Sequence, residues 1–148
     1  MLDRTLPINR GQVKAYLPHR DPFLFIDRVT ALTETTITAE SYVDPKMDVF
    51  KGHFPDMPIM PGVLLIETVA QAGALMVALN TETEPGSFTA FSGVESAKFR
   101  SPVYPGDKLI VKAAILRSRG GFYKFEGSAT VEGKKVVELK FAASQMSL

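Results

Sequence analysis

The chain has 148 residues, 45% of them hydrophobic and 22% charged, and 17 basic against 16 acidic side chains leave a net charge of +1. That length suits one domain with a core of its own, and the near balance of charge removes the usual electrostatic ground for a nucleic-acid partner. With no cysteine anywhere, disulfides, thiolate metal sites and cysteine nucleophiles are excluded.

The opening residues, MLDRTLPINRGQ, hold no apolar segment of the kind a signal peptide needs, so a cytoplasmic protein is expected. Asn9 can cap a short helix over 10–15, since its side chain accepts a bond from the unpaired amides of a first turn. Leu17-Pro18-His19-Arg20-Asp21-Pro22 is predicted to be non-helical, each proline turning its predecessor away from helical angles. A short apolar strand is expected over 23–29, and a second, rich in β-branched residues, over 35–43. Residues 44–61 contain Pro45, Pro55, Pro58, Pro61 and Gly52 and read as a long loop with fixed turns. A loop of that length inside one domain is usually functional or disordered; Phe50, Phe54, Ile59 and Met60 point to packing.

Residues 62–80, GVLLIETVAQAGALMVALN, predict a helix apolar on nearly every face, the pattern of a helix surrounded by protein. Its apolar stretch is interrupted by Glu67, Thr68 and Gln71 and is shorter than the ~20 residues of a typical membrane span, so no membrane insertion is expected. The polar run NTETEPG at 80–86 ends it. Strands are then expected over 89–99, 108–117 and 122–131, with a turn-rich link at 101–107. Tyr123, Phe125, Ala129 and Val131 alternate with Lys124, Glu126, Ser128 and Thr130. Glu132-Gly133 supplies a hairpin turn, after which Val137, Leu139 and Phe141 alternate with Glu138 and Lys140. One long buried helix and five or six strands make a single α+β domain over 1–148, a curved antiparallel β-sheet wrapped around a long central helix.

Three features carry chemistry. Glu67 lies about one and a half turns into the most apolar helix of the chain, where an ionised carboxylate is costly unless paired. Gln71 follows at i+4 on the same face; by themselves the two also fit a polar stripe at a subunit interface. His53, one of two histidines, sits in Gly52-His53-Phe54-Pro55 within the stiffened loop. A histidine and a buried carboxylate facing one cavity serve as general base and general acid. The third is Pro61-Gly62-Val63. The free amides near Gly62 and Val63, at the positive end of the helix dipole, can hold a carbonyl oxygen as it gains charge. Together these describe proton abstraction α to a carbonyl with departure of a β-hydroxyl, chemistry that needs no metal or other cofactor.

GHFPDMPIMPGVLLIETVAQ (52–71) resembles the signature of the bacterial 3-hydroxyacyl-acyl-carrier-protein dehydratases of fatty acid synthesis. The similarity extends to LPHRDPFLFIDRV (17–29), SAKFRSPVYPGDKL (96–109) and FEGSATVEGKKVVE (125–138). The resemblance implies the hot-dog fold and a homodimer at minimum, often a trimer of dimers, with active sites shared between subunits. His53 would come from one subunit and Glu67 from the other as the catalytic pair. Gly62, Val63, Gln71 and Phe54 would contact substrate, with the Gly62 amide on the thioester carbonyl and Gln71 supporting a water or the carboxylate. His19, in LPHR, would be structural. Glutamate at position 67 favours the plain dehydratase over relatives that also isomerise the product and carry aspartate there. The segment 44–50 departs from the family pattern, as does Asp21, which leaves acyl preference and pathway open.

The implied partner is acyl carrier protein bearing a 3-hydroxyacyl chain. Lys98, Arg100, Arg117, Arg119 and Lys124 are candidates for docking that acidic protein, and Phe88, Phe91, Ala74 and Leu75 for walls of an acyl tunnel. The competing readings are an acyl thioesterase of the same fold and a non-catalytic protein that binds acyl chains or their carrier.

Overall fold

The computed structural model describes residues 5–81 and 87–147; the end of the polar run after the long helix lies outside them. The elements are β1 (Ile8–Asn9), α1 (Arg10–Val13), β2 (Arg28–Leu32), β3 (Thr36–Tyr42), a 3-10 turn (Asp48–Lys51), α2 (Gly62–Asn80), β4 (Ser87–Phe99), β5 (Lys108–Arg119), β6 (Phe122–Val131) and β7 (Lys134–Ser147). The strands form one antiparallel sheet in the order β1-β2-β3-β5-β6-β7-β4. The sheet curls around α2, which packs against β3, β4, β5, β6 and β7.

Helix α2 has the length and apolar composition of a membrane-crossing segment. Here the sheet supplies its apolar surroundings: Leu65, Val69, Ala72, Leu75, Met76 and Leu79 are buried against the strands. Phe125 and Ala129 point inward from β6 as their alternation predicts, and the Phe125 ring stacks on Phe141 of β7 with centroids 4.9 Å apart. Both turn glycines of the β5–β6 hairpin, Gly120 and Gly121, have positive φ, as do Glu132 and Gly133 between β6 and β7, which is the backbone a two-residue hairpin requires.

Two expectations are corrected. The first helix stops at Val13, although Asn9 does cap it, its side chain accepting from the Gln12 amide while the Gln12 side chain accepts from the Asn9 amide. The stretch 23–27 is not a strand. Three of its backbone groups are taken by side chains instead: Gln71 bonds the Phe25 amide and the Phe23 carbonyl, and Arg10 donates to the Leu24 carbonyl. Such bonds satisfy buried backbone without a neighbouring strand. The strands expected from residue 35 onward lie where they are expected, with β5 and β7 longer than the sequence indicates, whereas β1 and the part of β2 beyond Val29 are not indicated.

Gly127 marks the closest approach of helix and sheet. A Cβ there would overlap Val69 Cγ1 and lie 2.9 Å from the Lys112 carbonyl oxygen. The valine can turn, but the backbone oxygen sits in a hydrogen-bonded strand. Gly127→Ala is therefore expected to destabilise the protein by about 1–3 kcal/mol through overpacking. Denaturant unfolding checks this; an unchanged midpoint would show that β5 and β6 yield more easily than their pairing implies.

Candidate active site

Glu67 projects from α2 into a cavity of about 330 Å³, lined by Pro18, His19, Ala70, Gln71, Ala74 and Phe88 among others. Apart from Glu67, His19 and Gln71 the walls are mostly apolar, and they include Phe91, Phe141 and Ala143 from the sheet. Of the expected tunnel walls, Phe88, Phe91 and Ala74 line this cavity. Leu75 does not; it is completely buried on another side of the helix. A larger depression, about 610 Å³, spreads over the outer face of the sheet among Lys98, Lys112, Lys135, Lys140, Glu126 and Glu138. It is open and charged and holds neither histidine, so the smaller cavity is the better place for acyl chemistry.

The Glu67 carboxylate is 19% exposed and is held from one side. Gln71 Nε2 donates to its Oε2 at 2.8 Å. The same nitrogen donates to the Phe23 carbonyl at 2.8 Å, and Gln71 Oε1 accepts from the Phe25 amide at 2.9 Å. Three bonds to fixed partners leave this buried amide one orientation, because a flip would set oxygen against two acceptors and nitrogen against a donor. His19 Nε2 is 3.5 Å from the same Oε2, a close electrostatic contact somewhat longer than a hydrogen bond. The resemblance leaves His19 a structural part; the fold puts it on the wall of the cavity beside Glu67.

His53 belongs to a separate cluster. Its ring stacks on Phe54 with centroids 4.2 Å apart, and its Nδ1 lies 3.0 Å from the Ile59 carbonyl oxygen. Main-chain bonds brace the loop: the His53 amide donates to Val49, Ile59 to His53, and Phe54 and Met57 to each other. A carbonyl only accepts, so Nδ1 carries the proton and Nε2 of the neutral ring has a free lone pair. His53 and Phe54 are absent from the walls of the cavity that Glu67 enters. One chain thus brings Glu67 and Gln71 together and leaves His53 elsewhere.

Gly62 and Val63 start α2. The Leu64 and Leu65 amides bond to the Pro61 carbonyl, which leaves the Gly62 and Val63 amides as the first-turn donors without a backbone acceptor among the described residues. The Phe99 ring lies on Gly62 so closely that a Cβ there would come within 2.7 Å of it. Only glycine lets the Phe99 ring and the start of the helix approach this closely. Of the basic docking candidates, Arg100 pairs with Glu138 at 2.8 Å and Lys124 with Glu95 at 2.9 Å.

The one site residue that sequence reasoning set aside is His19. The available signal was its rarity: it is the only other histidine, and it stands between two prolines in a segment that resembles a family motif.

Comparison with known proteins bears on the family and the fold. The family model described as the FabA-like domain matches residues 17–140. The chain is 41% identical over 143 residues to the 3-hydroxyacyl-(acyl-carrier-protein) dehydratase FabZ of Acinetobacter baylyi, covering 95% of this chain and 97% of that one. It is 44% identical over 138 residues to the FabZ of Oleidesulfovibrio alaskensis, covering 92% and 90%. Among solved structures, the dehydratase heterocomplex ApeI:P from Xenorhabdus doucetiae superposes with a TM-score of 0.77 at 20% identity, over 97% of this chain and 93% of that one. A thioesterase from Haemophilus influenzae superposes with a TM-score of 0.60 at 20% identity, over 82% and 78%. At that level of identity these two likenesses concern the fold, which is the hot-dog fold.

Proposed function

This chain belongs to the FabA-like family of 3-hydroxyacyl-(acyl-carrier-protein) dehydratases, and from that premise we propose that His53 and Glu67, contributed by two copies of the chain, remove water across C2 and C3 of a 3-hydroxyacyl thioester. The reaction is dehydration of a 3-hydroxyacyl chain on acyl carrier protein, in fatty acid synthesis. The observation that carries the assignment of roles is a carboxylate fixed on the wall of an apolar cavity that His53 of its own chain does not line.

His53 Nε2 takes the C2 proton. The electrons of that C–H bond form the C2–C3 double bond as the C3–O bond breaks. Glu67 gives its proton to the departing hydroxyl, which leaves as water. The product is a trans-2-enoyl thioester, and transfer of the proton from His53 to Glu67 restores the starting state. The Gly62 and Val63 amides stabilise charge that gathers on the thioester oxygen, and Phe54 flanks the substrate beside His53.

The fold supports a second copy. Strand β4 pairs only with β7, so its other edge is unpaired among the described residues, and it exposes Phe91, Val94 and Phe99 along 13 residues. A long apolar edge invites pairing, and a copy docked there makes the dimer. Acyl carrier protein is the partner that delivers substrate, in the cytoplasm.

The test uses purified protein and a 3-hydroxyacyl carrier-protein thioester, following loss of water by mass and free thiol with a thiol reagent. Loss of one water without thiol release is expected. Thiol release without loss of water would assign the fold's thioesterase chemistry instead, and binding with neither signal would make this a carrier or acyl-chain binding protein.

A further inference from the structure

We propose that His19 is a positioning residue for Glu67: with Gln71 it makes Oε2 an acceptor of two N–H groups, so that Oε1 is the oxygen that carries the transferred proton. The proposal rests on the reading of Glu67 as proton donor and goes beyond it by assigning the atom and a residue that sets it.

Gln71 comes first, because its orientation is settled. Its Nε2 must face Oε2, since Phe25 N–H and Phe23 C=O fix both ends of the amide. An oxygen that accepts from an N–H is the poorer place for a carboxylic proton, because the hydroxyl oxygen of a carboxyl group is the weaker acceptor. That bond alone favours the proton on Oε1.

His19 adds a second donor to the same oxygen. Its side chain is 24% exposed, and its Nδ1 is buried without a hydrogen-bond partner among the described residues. Nε2 faces a carboxylate oxygen, which accepts, whereas Nδ1 faces no acceptor among the described residues. The proton of the neutral imidazole therefore sits on Nε2, facing Glu67. Burial, the largest influence, holds the His19 imidazole below its usual pKa; Glu67 opposes this and Arg20 adds to it. A doubly protonated ring would also bury Nδ1–H with no acceptor, so the ring is neutral near pH 7. At 3.5 Å the contact is loose, as catalytic contacts often are before substrate binds.

The two histidines of this chain then carry opposite tautomers. His53 is protonated on Nδ1 and presents a lone pair at Nε2. His19 is bare at Nδ1 and presents N–H at Nε2. One accepts a proton from substrate, and the other aims the group that gives one up.

The experiment compares Glu67→Gln, His19→Phe, His19→Gln and the double variant Glu67→Gln/His19→Phe, assayed with the carrier-protein substrate as folded oligomers. His19→Phe keeps a ring and loses the donor, while Gln can return an N–H at the position of Nε2. His19→Phe is expected to lower kcat about tenfold to a hundredfold, the scale of a misaligned catalytic group, with KM little changed. His19→Gln should recover much of that loss, and the double variant should be no slower than Glu67→Gln alone. If His19→Phe fails to fold, His19→Asn is read in its place, since its shorter amide does not reach Oε2. Full activity in Glu67→Gln would remove the underlying assignment and this proposal with it. An inactive Glu67→Gln together with an unimpaired His19→Phe, a loss confined to KM, no recovery in His19→Gln, or a double variant slower by the product of the single losses would overturn the proposal alone. Nitrogen NMR on histidine-labelled protein supplies an independent reading: two different neutral tautomers are expected, and two alike would contradict it.

Discussion

Glu67→Gln and His53→Ala are each expected to lower kcat by about 10²–10⁴-fold, the range that one positioned acid or base contributes. Glutamine keeps the shape of Glu67, and its amide can still meet Gln71, so the loss measures the missing proton rather than a disturbed helix. His53→Ala removes the Nε2 lone pair and the Nδ1 bond to Ile59, whose carbonyl lies in the same loop. Substrate affinity should change far less than turnover. The decisive step is to unfold the two variants together and refold them as a mixture. If one subunit supplies His53 and its partner Glu67, a mixed dimer contains one intact site and one doubly defective site. A random mixture then recovers about a quarter of wild-type activity per subunit, because the two-fold axis makes half the dimers mixed and each has one working site of two. No recovery beyond that of the separate variants would place both residues in one subunit's site and undo the shared arrangement.

Phe125→Ala is expected to cost about 3–5 kcal/mol, as for other buried aromatic deletions. That is a large part of the roughly 5–15 kcal/mol that holds a domain together. The side chain is completely buried. It stacks on Phe141 at 4.9 Å and on Tyr123 at 5.9 Å, and Phe141 in turn meets Phe91 edge-on at 5.7 Å. A Cβ at Gly73 would touch the Phe125 and Phe141 rings at 3.2–3.3 Å, so this aromatic stack is the floor on which α2 rests just past Gln71. Removing the ring lets that part of the helix settle, and the cavity wall formed by Phe91 and Phe141 moves with it. Thermal and denaturant melts test the stability; an activity assay below the melting range tests the wall. A loss under about 1 kcal/mol would mean that the neighbouring rings close the gap, which rigidly stacked aromatics on a paired sheet are ill suited to do.

The elements with strong periodicity could be read without a structure. Helix α2 runs from Gly62 to Asn80 because Pro61 marks its start and a long apolar run, broken only by Glu67, Thr68 and Gln71, follows. Strand β6 keeps its predicted bounds, because alternation and a glycine turn at each end define it. The stretch 23–27 misled because its residues are apolar enough for a strand. What decides its backbone is whether a neighbour offers bonds, and here that neighbour is the Gln71 side chain, more than forty residues away.

The class of the protein was legible in the chain alone: one long helix, a set of β-strands, and a loop–helix motif whose residue types suit elimination of water. Those features reside in local pattern and in resemblance, which a linear string preserves. Which residues become neighbours was set by the folding of the sheet. It put β4 at the edge beside β7 rather than next to β5, left His53 off the wall that Glu67 enters, and set His19 against that carboxylate across 48 positions of chain. Contacts at such separations depend on how the sheet closes over the helix, and no nearby residue pattern encodes that closure.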